Sequence, residues 1–217
     1  MSGEPTPALV CVLDDDAEVR SGIGSLLRSS GFDVALFAST AEFLSAGVPD
    51  VASCLVLDIR LSGENGLEFQ ERLAAEGKVI PVILVTGHGD IPMTVRAMRA
   101  GAVDFLPKPF DDEQLICAVR AALEADRARR ALQDEASTLR EAHRSLTPRE
   151  REIMALVVTG LMNKQVAARL ALSEITVKIH RGNVMRKMQA QSLADLVRMA
   201  ERLGIRDESI RRYNTSV

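Results

Sequence analysis

Two apolar runs in the first third of the sequence both end in acidic residues. The run 8–13 leads into the acidic triplet 14–16, and the run 54–57 ends at Asp58. A carboxylate is costly to place at the end of a buried strand unless a cation offsets its charge. The two runs therefore predict neighbouring strands whose acidic residues share one site with a cation.

The first half of the sequence alternates apolar runs with segments of helical periodicity. The runs are almost continuously apolar, which is typical of parallel strands covered on both faces. Five such strand–helix repeats predict an α/β fold, a doubly wound five-stranded parallel sheet with its ligand site at the carboxyl ends of the strands. The predicted strands are 8–13, 32–37, 54–58, 81–86 and 103–106, and the predicted helices are 16–30, 40–46, 65–76, 91–100 and one from about 111.

Helix caps agree with this assignment. Asp16 can cap the first helix, Asp90 precedes the fourth, and Asp111 with Gln114 resembles a capping box for the fifth. Gly31 stands just past the end of the first helix, where glycine is common.

Charge divides the chain into two halves. Residues 1–126 contain 9 Lys/Arg and 20 Asp/Glu, a net charge of −11, whereas residues 127–217 contain 18 and 10, a net charge of +8. A basic half beside an acidic one indicates two functions, and the basic one can face nucleic acid; undirected drift of surface charge is the alternative. The predicted organisation is a first domain over 1–124, a helical linker over 125–144, a small all-helical domain over 145–204 and a polar tail over 205–217.

Composition excludes several other classes of protein. No apolar run reaches the roughly 18–20 residues of a membrane helix, and the first seven residues lack the basic start and apolar core of a signal peptide. Cys11 and Cys54 lie inside apolar runs, where a small buried hydrophobic residue is expected, and no Cys or His spacing fits zinc. These features predict a protein of the reducing cytoplasm.

Two further polar residues end predicted strands at the same edge of the sheet. Thr86 closes one apolar run and Lys108 follows another. Clustered carboxylates suit Mg²⁺ (or Mn²⁺), which keeps part of its water shell for a phosphate-bearing partner. A hydroxyl, an ammonium and a divalent metal around a carboxylate form a charge clamp for a transferring phosphoryl group, with Asp58 as the nucleophile. A lone aspartate at a strand end can also be a helix cap or a ribose ligand, but no G-x-G-x-x-G motif opens a helix here.

The first half resembles a bacterial receiver domain over residues 8–124. The matching segments are 13–16, 55–61, 85–89 and 105–110. The resemblance implies that Asp58 accepts a phosphoryl group from a sensor histidine kinase.

The resemblance also implies roles for the residues around Asp58. Asp15 and Asp58 would bind the metal directly and Asp14 mainly through water, with the backbone carbonyl of Arg60 completing the protein ligands. Lys108 would pair with the phosphoryl oxygens, and the Lys108–Pro109 peptide is expected to be cis. The family usually has proline at the position of Ser62, so a different loop shape is expected there.

A two-position switch is a further implication. The Thr86 hydroxyl could turn toward the phosphoryl group and vacate space for Phe105, which occupies the family's rotating aromatic position. A fixed core ring is the alternative for Phe105. The affected face would run from helix 91–100 to helix 111–124, and the dimer candidates there are Met93, Val95, Met98 and Arg99.

The basic half contains a helix-turn-helix pattern. Helix 163–170 and helix 174–188 are separated by a turn of about three residues, and Ser173 can cap the second helix. The outer face of that helix carries isoleucines beside cations, which suits a major groove where apolar groups contact thymine methyls. Packing of the isoleucines on the first domain is the alternative. The outer face comprises Ile175, Lys178, Ile179, Gly182 and Arg186.

Three segments of the basic half, 146–153, 163–167 and 176–180, resemble a LuxR-type DNA-binding domain. Nearly the whole chain is thus similar to the NarL/FixJ subfamily of response regulators. The resemblance implies that Lys178, Ile179 and the position of Gly182 approach base edges. Because Gly182 has no side chain, its base contact is either absent or made by Arg186. Implied phosphate contacts are Asn163, Lys164, Thr176, Arg181 and Lys187, and the implied dimer helix 192–203 contributes Leu193, Leu196, Val197 and Ala200.

The predicted function is a transcription regulator in which phosphorylation of Asp58 promotes a homodimer that binds two DNA half-sites. The alternative is a signalling module whose phosphorylation governs protein partners, with weak or no specific DNA binding. An enzyme acting on a turnover substrate is not predicted, since no Ser/His/Asp or Cys/His set is visible. The receiver would only transfer phosphate to Asp58 and hydrolyse it again.

Overall fold

The computed structural model describes residues 8–87 and 91–205, and the chain divides into two compact units after Ala131. The predicted cap residue Asp90 and the tail residues 206–217 lie outside the described residues. In the described part of the chain, no helix combines the length and apolarity needed to cross a membrane.

The N-terminal unit is a five-stranded, all-parallel sheet with helices between its strands. Its strands are β1 Ala8–Leu13, β2 Asp33–Phe37, β3 Ala52–Asp58, β6 Val82–Thr86 and β7 Asp104–Pro107, and the two-residue strands β4 Arg60–Leu61 and β5 Glu64–Asn65 form a separate antiparallel pair. The strand order of the sheet is β2-β1-β3-β6-β7, which confirms the predicted fold class. The helices are α1 Ala17–Ser29, α2 Thr40–Ala46, α3 Gly66–Ala75, α4 Ile91–Arg99 and α5 Asp112–Arg144.

Strand register brings the polar strand ends to one edge. Leu13 of β1 pairs with Leu57 of β3, so the residue after each of them comes to the same level of the sheet. Asp58 is opposite Val85, and Thr86 is opposite Pro107 in the last strand. The predicted meeting of acidic and polar residues at the carboxyl edge therefore follows directly from the parallel pairing.

Each face of the sheet buries its own apolar layer. On one face the sheet packs against Phe43 of α2, Phe69 of α3 and Ala97 of α4. On the other face it packs against Leu27 of α1 and Leu115 of α5. Full burial of a large apolar side chain contributes about 1.5–3 kcal/mol, so the two layers together hold the edge rigidly in place.

The cysteines of β1 and β3 belong to these layers. Cys11 and Cys54 are both 0% exposed, and burial raises the pKa of the Cys11 thiol to about 11 and that of Cys54 to about 12. Both stay protonated at neutral pH and serve as small hydrophobic residues, as predicted.

Predicted caps are confirmed for α1. Asp16 accepts hydrogen bonds from the backbone N–H groups of Glu18 and Val19, and Gly31 beyond the helix has a φ of +86°. For α5, the Gln114 side chain accepts a long hydrogen bond of 3.4 Å from the Asp111 N–H, which is one half of the predicted capping box.

Helix α5 continues without a break through the segment predicted as a helical linker. Asp126, 1% exposed, accepts a hydrogen bond of 3.0 Å from the Ser53 N–H at the start of β3, and ion pairs from Arg129 and Arg130. Arg130 also donates to the Pro49 carbonyl at 2.7 Å. These bonds attach the helix to the N-terminal unit beyond residue 124, whereas the predicted domain boundary at that residue stays a prediction.

Up to residue 205, where the described part of the chain ends, the C-terminal unit consists of the end of α5 and four short helices around one core. The helices are α6 Pro148–Val157, α7 Asn163–Leu170, α8 Glu174–Lys187 and α9 Leu193–Arg202. Leu139 of α5 joins this core together with Val177 and Leu196. The three-residue turn between α7 and α8 begins at Ala171, a left-handed residue with φ of 51°, and ends at Ser173, which caps α8.

Candidate functional sites

The three predicted acidic ligands form one cluster at the carboxyl edge of the sheet. One carboxylate oxygen from each of Asp14, Asp15 and Asp58 lies within 4.8 Å of the others. Asp14 is 2% exposed and Asp58 is 9% exposed, while Asp15 is the most exposed of the three. Carboxylates this close repel one another unless a cation joins them, and hard oxygen ligands suit a divalent metal.

Lys108 supplies a positive charge to this cluster. Its ammonium lies 2.9 Å from Asp14 Oδ2 and 3.5 Å from Asp58 Oδ1. The Lys108 N–H donates to the Thr86 carbonyl at 2.6 Å, and the Lys108–Pro109 peptide is cis, as predicted. One ammonium against three carboxylates leaves the site with an excess of negative charge, which a divalent cation would balance.

The pKa of Asp58 reflects this imbalance. Burial raises the pKa of its carboxyl group above the usual value, Lys108 lowers it and the charge of Asp14 raises it further. A nucleophilic carboxylate must be ionised, so a cation at the cluster would favour the reactive form.

Asp15 is shifted in the opposite direction by Ser62. The Ser62 hydroxyl and the Ser62 N–H both donate to Asp15 Oδ2, at 2.5 and 3.0 Å. The hydroxyl bond is the main cause that holds the pKa of Asp15 below its usual value. Asp15 is therefore an ionised carboxylate held in one orientation.

A cleft of about 450 Å³ opens above the cluster. It gives a small ligand access to the acids and to Lys108. Its lining residues are Asp14, Asp15, Asp16, Val19, Asp58, Arg60, Gly87 and Lys108.

The predicted switch residues lie at the end of β6 and in β7. Thr86 is 0% exposed, and Phe105 is partly buried against the apolar layer that contains Phe43 and Phe69. The structure thus places Phe105 at the rim of that core; its movement stays a prediction, as does metal binding by the Arg60 carbonyl.

The second candidate site is the outer face of α8. Ile175 is 74% exposed and Ile179 is 60% exposed, whereas Val177 and Val184 on the inner face are buried. Lys178 and Arg186 are exposed, and a Cβ at Gly182 would meet no atom within 4 Å. Exposed isoleucines between cations, on the second helix of a helix-turn-helix, fit a DNA major groove.

The family assignment comes from comparison with known proteins. Residues 10–120 match the family described as "Response regulator receiver domain", and residues 144–200 match "Bacterial regulatory proteins, luxR family". The chain belongs to the response regulators. More specifically, it is a member of the NarL/FixJ subfamily, with a receiver domain and a LuxR-type DNA-binding domain.

Similar proteins share both domains of this response regulator. "Nodulation protein W" of Bradyrhizobium diazoefficiens is 57% identical, over 92% of this chain and 88% of its own length. "Transcriptional regulatory protein FixJ" of Azorhizobium caulinodans is 45% identical, over 93% of this chain and 95% of its own. The solved structure of response regulator StyR is 46% identical with a TM-score of 0.84, over 90% of this chain and 98% of that one.

Some predicted DNA contacts of the response regulator are already engaged within its C-terminal domain. The Lys187 ammonium lies 2.6 Å from the buried carboxylate of Glu150, so a contact to DNA phosphate would require this pair to open. Arg181 donates to the Asn163 side chain at 3.1 Å, which links two of the predicted phosphate contacts. Lys164 and Thr176 lie at or near the starts of α7 and α8, and Lys164 is exposed.

Predicted dimer residues differ in their exposure. In α9, Leu196 and Ala200 are 0% and 1% exposed and belong to the domain core, which leaves Leu193 and Val197 as possible surface contacts. In α4, Val95 and Met98 are 44% and 48% exposed, Arg99 is exposed and Met93 is partly buried. Dimerisation through either helix stays a prediction.

Sequence reasoning missed two residues that shape the receiver site. A Cβ at Gly66 would lie 2.2 Å from the Asp58 carbonyl oxygen. Only glycine therefore fits there without a shift of the segment 59–65 that follows Asp58, named here the acceptor loop. Arg20 of α1 donates to the carbonyl oxygens of Asp14 and Asp15, at 2.6 and 3.3 Å. Neither residue ends an apolar run, so hydrophobic patterning carries no signal for them.

Proposed function

We propose that Asp58 is the phosphoacceptor of this response regulator and that its phosphorylation controls dimerisation and DNA binding. The observation that carries the proposal is the cluster itself. Asp58 is a partly buried carboxylate, it shares Lys108 with Asp14, and it opens into a cleft large enough for a phosphoryl group. Asp14, Asp15, Asp58 and the Arg60 backbone carbonyl would hold Mg²⁺.

The reaction is a phosphoryl transfer from a phosphohistidine of a sensor histidine kinase. An Asp58 oxygen attacks phosphorus, the phosphorus–nitrogen bond breaks, and its electron pair leaves with the imidazole. When bound, the metal would offset the negative charge of the carboxylates and the phosphoryl oxygens.

Groups of the chain itself stabilise and later remove the phosphoryl group. The Lys108 ammonium pairs with the phosphoryl oxygens, and the Thr86 hydroxyl donates to one of them. Water then attacks phosphorus, the bond from phosphorus to the Asp58 oxygen breaks, and inorganic phosphate leaves as the carboxylate is regenerated. The proposed catalysis is thus limited to phosphoryl transfer to Asp58 and hydrolysis from it. The phosphohistidine donor and the DNA would both be met in the cytoplasm.

Labelling by acetyl phosphate tests the acceptor. Asp58→Asn should remove all label, because an amide is a poor nucleophile and cannot form the acyl phosphate. Asp33→Asn changes an exposed aspartate at the start of β2 and should leave labelling unchanged. Undiminished labelling of the Asp58→Asn protein would exclude the proposal.

Signal transfer is proposed to run through Thr86 and Phe105. Movement of the hydroxyl toward the phosphoryl group would let the ring turn inward and change the α4 surface that carries Val95 and Met98. Phe105→Ala should therefore uncouple phosphorylation from dimerisation, measured by sedimentation with and without acetyl phosphate. Unchanged phosphorylation-driven dimerisation would remove this part of the proposal.

The outer face of α8 is proposed to read the operator. Lys178→Ala should weaken binding to a selected operator by about 1–3 kcal/mol. Lys164→Ala should reduce the slope of log binding constant against log salt concentration by about one. Arg198→Ala, at an exposed cation of α9 whose side chain is 71% accessible, is the matched control and should change neither quantity. Gel shifts that show no specific complex with or without phosphorylation would favour a protein-interaction module instead.

A further inference from the structure

Ser62 provides two hydrogen-bond donors to one carboxylate oxygen of the acidic cluster. Its N–H and its hydroxyl both bind Asp15 Oδ2, at 3.0 and 2.5 Å, across 47 residues of sequence. Both donors thus come from a single residue and converge on a single oxygen.

Ser62 lies in a short β-hairpin within the loop that follows Asp58. Ser62 and Gly63 form the turn of the hairpin in which Arg60 pairs with Asn65 and Leu61 pairs with Glu64. Gly63 has a φ of +100°, a left-handed conformation that glycine adopts without strain. This hairpin directly follows Asp58, so the donors are held beside the acceptor.

The loop is also anchored at its far end. Glu64 forms a salt bridge of 2.8 Å with Arg72 of α3, and the Gly66 N–H donates to the Ile59 carbonyl at 2.8 Å. The position of Ser62 relative to the sheet edge is therefore defined on both sides of the turn.

Asp15 is the ligand that most needs this support. The Lys108 ammonium contacts Asp14 and Asp58, and the side-chain donor that Asp15 receives comes from Ser62 instead. Two donors on one oxygen restrict the carboxylate to one orientation and leave its second oxygen outside this pair of bonds. A ligand that is already oriented loses less conformational freedom when a cation binds.

We propose that Ser62 is a positioning residue for the divalent cation, holding Asp15 in its ligating orientation and thereby strengthening cation binding at the phosphoacceptor site. The inference rests on the proposed function of the acidic cluster. It adds a residue that acts through Asp15 rather than by touching the phosphoryl group.

Calorimetric titration of the full-length protein with Mg²⁺, without any phosphodonor, tests this role. Ser62→Ala removes the hydroxyl and should weaken Mg²⁺ binding about tenfold, the lower end of the range for residues that orient a metal ligand. Ser62→Thr restores a hydroxyl and should bind within about twofold of the wild type. Ser45→Ala, at an exposed serine of α2, should bind like the wild type.

The outcomes separate positioning from general stability and from the proposed function. Equal Mg²⁺ affinity of the wild-type and Ser62→Ala proteins overturns the inference, and so does equal weakening by the alanine and threonine variants. Melting curves of the metal-free proteins by circular dichroism identify a variant that has not folded, and Ser62→Gly then replaces Ser62→Ala. If the wild type is labelled at Asp58 while its serine variants bind Mg²⁺ normally, the inference fails and the proposed function stands; an unlabelled wild type overturns the proposed function itself.

Discussion

Each unit of this response regulator contains a buried carboxylate beside a lysine, but the two pairs differ in charge balance. In the C-terminal unit, Glu150 is matched by Lys187 at 2.6 Å and also accepts the Thr147 N–H as part of a capping box. In the N-terminal unit, one lysine at 2.9 and 3.5 Å serves two carboxylates, with Asp15 beside them.

The pKa values move accordingly. Hydrogen bonding by Lys187 lowers the pKa of Glu150, whereas burial raises the pKa of Asp58 despite Lys108. Glu150 has a lysine of its own, and this pair stabilises the fold. Asp58 shares its lysine with Asp14, so the negative charge that remains there can attract a cation. The site therefore differs from the structural pair both in local charge balance and in the desolvation that raises the pKa of Asp58.

The largest effect on stability is expected for Asp126, another buried carboxylate, whose charge is matched by two arginines. Asp126→Ala should destabilise the N-terminal unit by about 3 kcal/mol, because it leaves the buried Ser53 N–H without its acceptor and removes the ion pairs with Arg129 and Arg130. Denaturant-dependent hydrogen exchange of β3 measures this separately from the C-terminal unit. Asp50→Ala removes only a fully exposed partner of Arg130 at 3.8 Å and should have no measurable effect; a loss equal to that of Asp126→Ala would break the comparison.

Glu150→Ala should have a smaller effect, about 2 kcal/mol, on the C-terminal unit. The Thr147 N–H loses its cap, but Lys187 is partly exposed and can be hydrated. Hydrogen exchange of α6 gives the measurement, with Glu152→Ala as the control because that carboxylate is half exposed in its pair with Arg149. If Glu150→Ala were neutral, the pair would not be the structural counterpart described above.

Gly66→Ala should lower the free energy of unfolding by about 1–2 kcal/mol and slow the labelling of Asp58 by acetyl phosphate about tenfold or more. The added methyl group would lie 2.2 Å from the Asp58 carbonyl, so the acceptor loop must move away from its working geometry. Gly22→Ala in α1 meets no atom within 4 Å and should instead stabilise by about 0.5–1 kcal/mol. Acetyl phosphate labelling and thermal melting of both variants decide between a clash at the site and a general effect of replacing glycine.

The smallest effect on stability is expected for Asp58→Asn in the absence of divalent cations. Unlike the Asp126, Glu150 and Gly66 variants, this variant should be slightly more stable than the wild type. Because burial raises the pKa of Asp58 in the folded protein, its ionisation lowers stability as pH rises above the ordinary aspartate value of about 4. The asparagine variant should therefore melt slightly above the wild type at neutral pH, and the difference should vanish below about pH 4.

Asp126 provides the reference for that pH profile. Burial opposes its ionisation, but hydrogen bonds from Arg130, Ser53 and Arg129 outweigh burial and lower its pKa. Its contribution is fully present above the unfolded pKa and is lost as pH falls through the folded one, so the deficit of an Asp126→Ala protein should shrink in acid. Melting temperatures from pH 3 to pH 7, about one unit apart, would show the two opposite slopes; parallel slopes would contradict the assignment.

The sheet and the acidic cluster could be predicted because the cost of burying charge leaves a pattern in the sequence. Apolar runs that end in Asp14 and Asp58 are unfavourable unless a cation offsets the buried charge, and parallel pairing brings their ends together. The α8 surface was predicted with the same residues, but exposed side chains such as Ile175 carry no comparable constraint. The proposal that this surface reads DNA is therefore supported more by membership of the family than by the energetic cost of exposing its side chains.

What sequence reasoning missed depends on contacts between distant or very short segments. The hairpin of β4 and β5 has two residues per strand, too few to show a period. Asp126 lies in a charged helical stretch whose composition predicts solvent exposure, yet it is 1% exposed and accepts a hydrogen bond from Ser53, 73 residues away. The Ser62–Asp15 bond likewise joins loops that only the folded sheet brings together.

The pairing of Lys187 with Glu150 has a consequence for how the affinity of this protein for DNA should vary with ionic strength. The salt dependence of such binding reports the counterions released when protein cations replace them on the phosphates. The Lys187 ammonium is paired with the Glu150 carboxylate at 2.6 Å, so this pair must open before Lys187 can replace a counterion on a phosphate. For as long as Lys187 stays paired with Glu150, a count of the basic residues on these helices overstates by one cation the slope of log binding constant against log salt concentration.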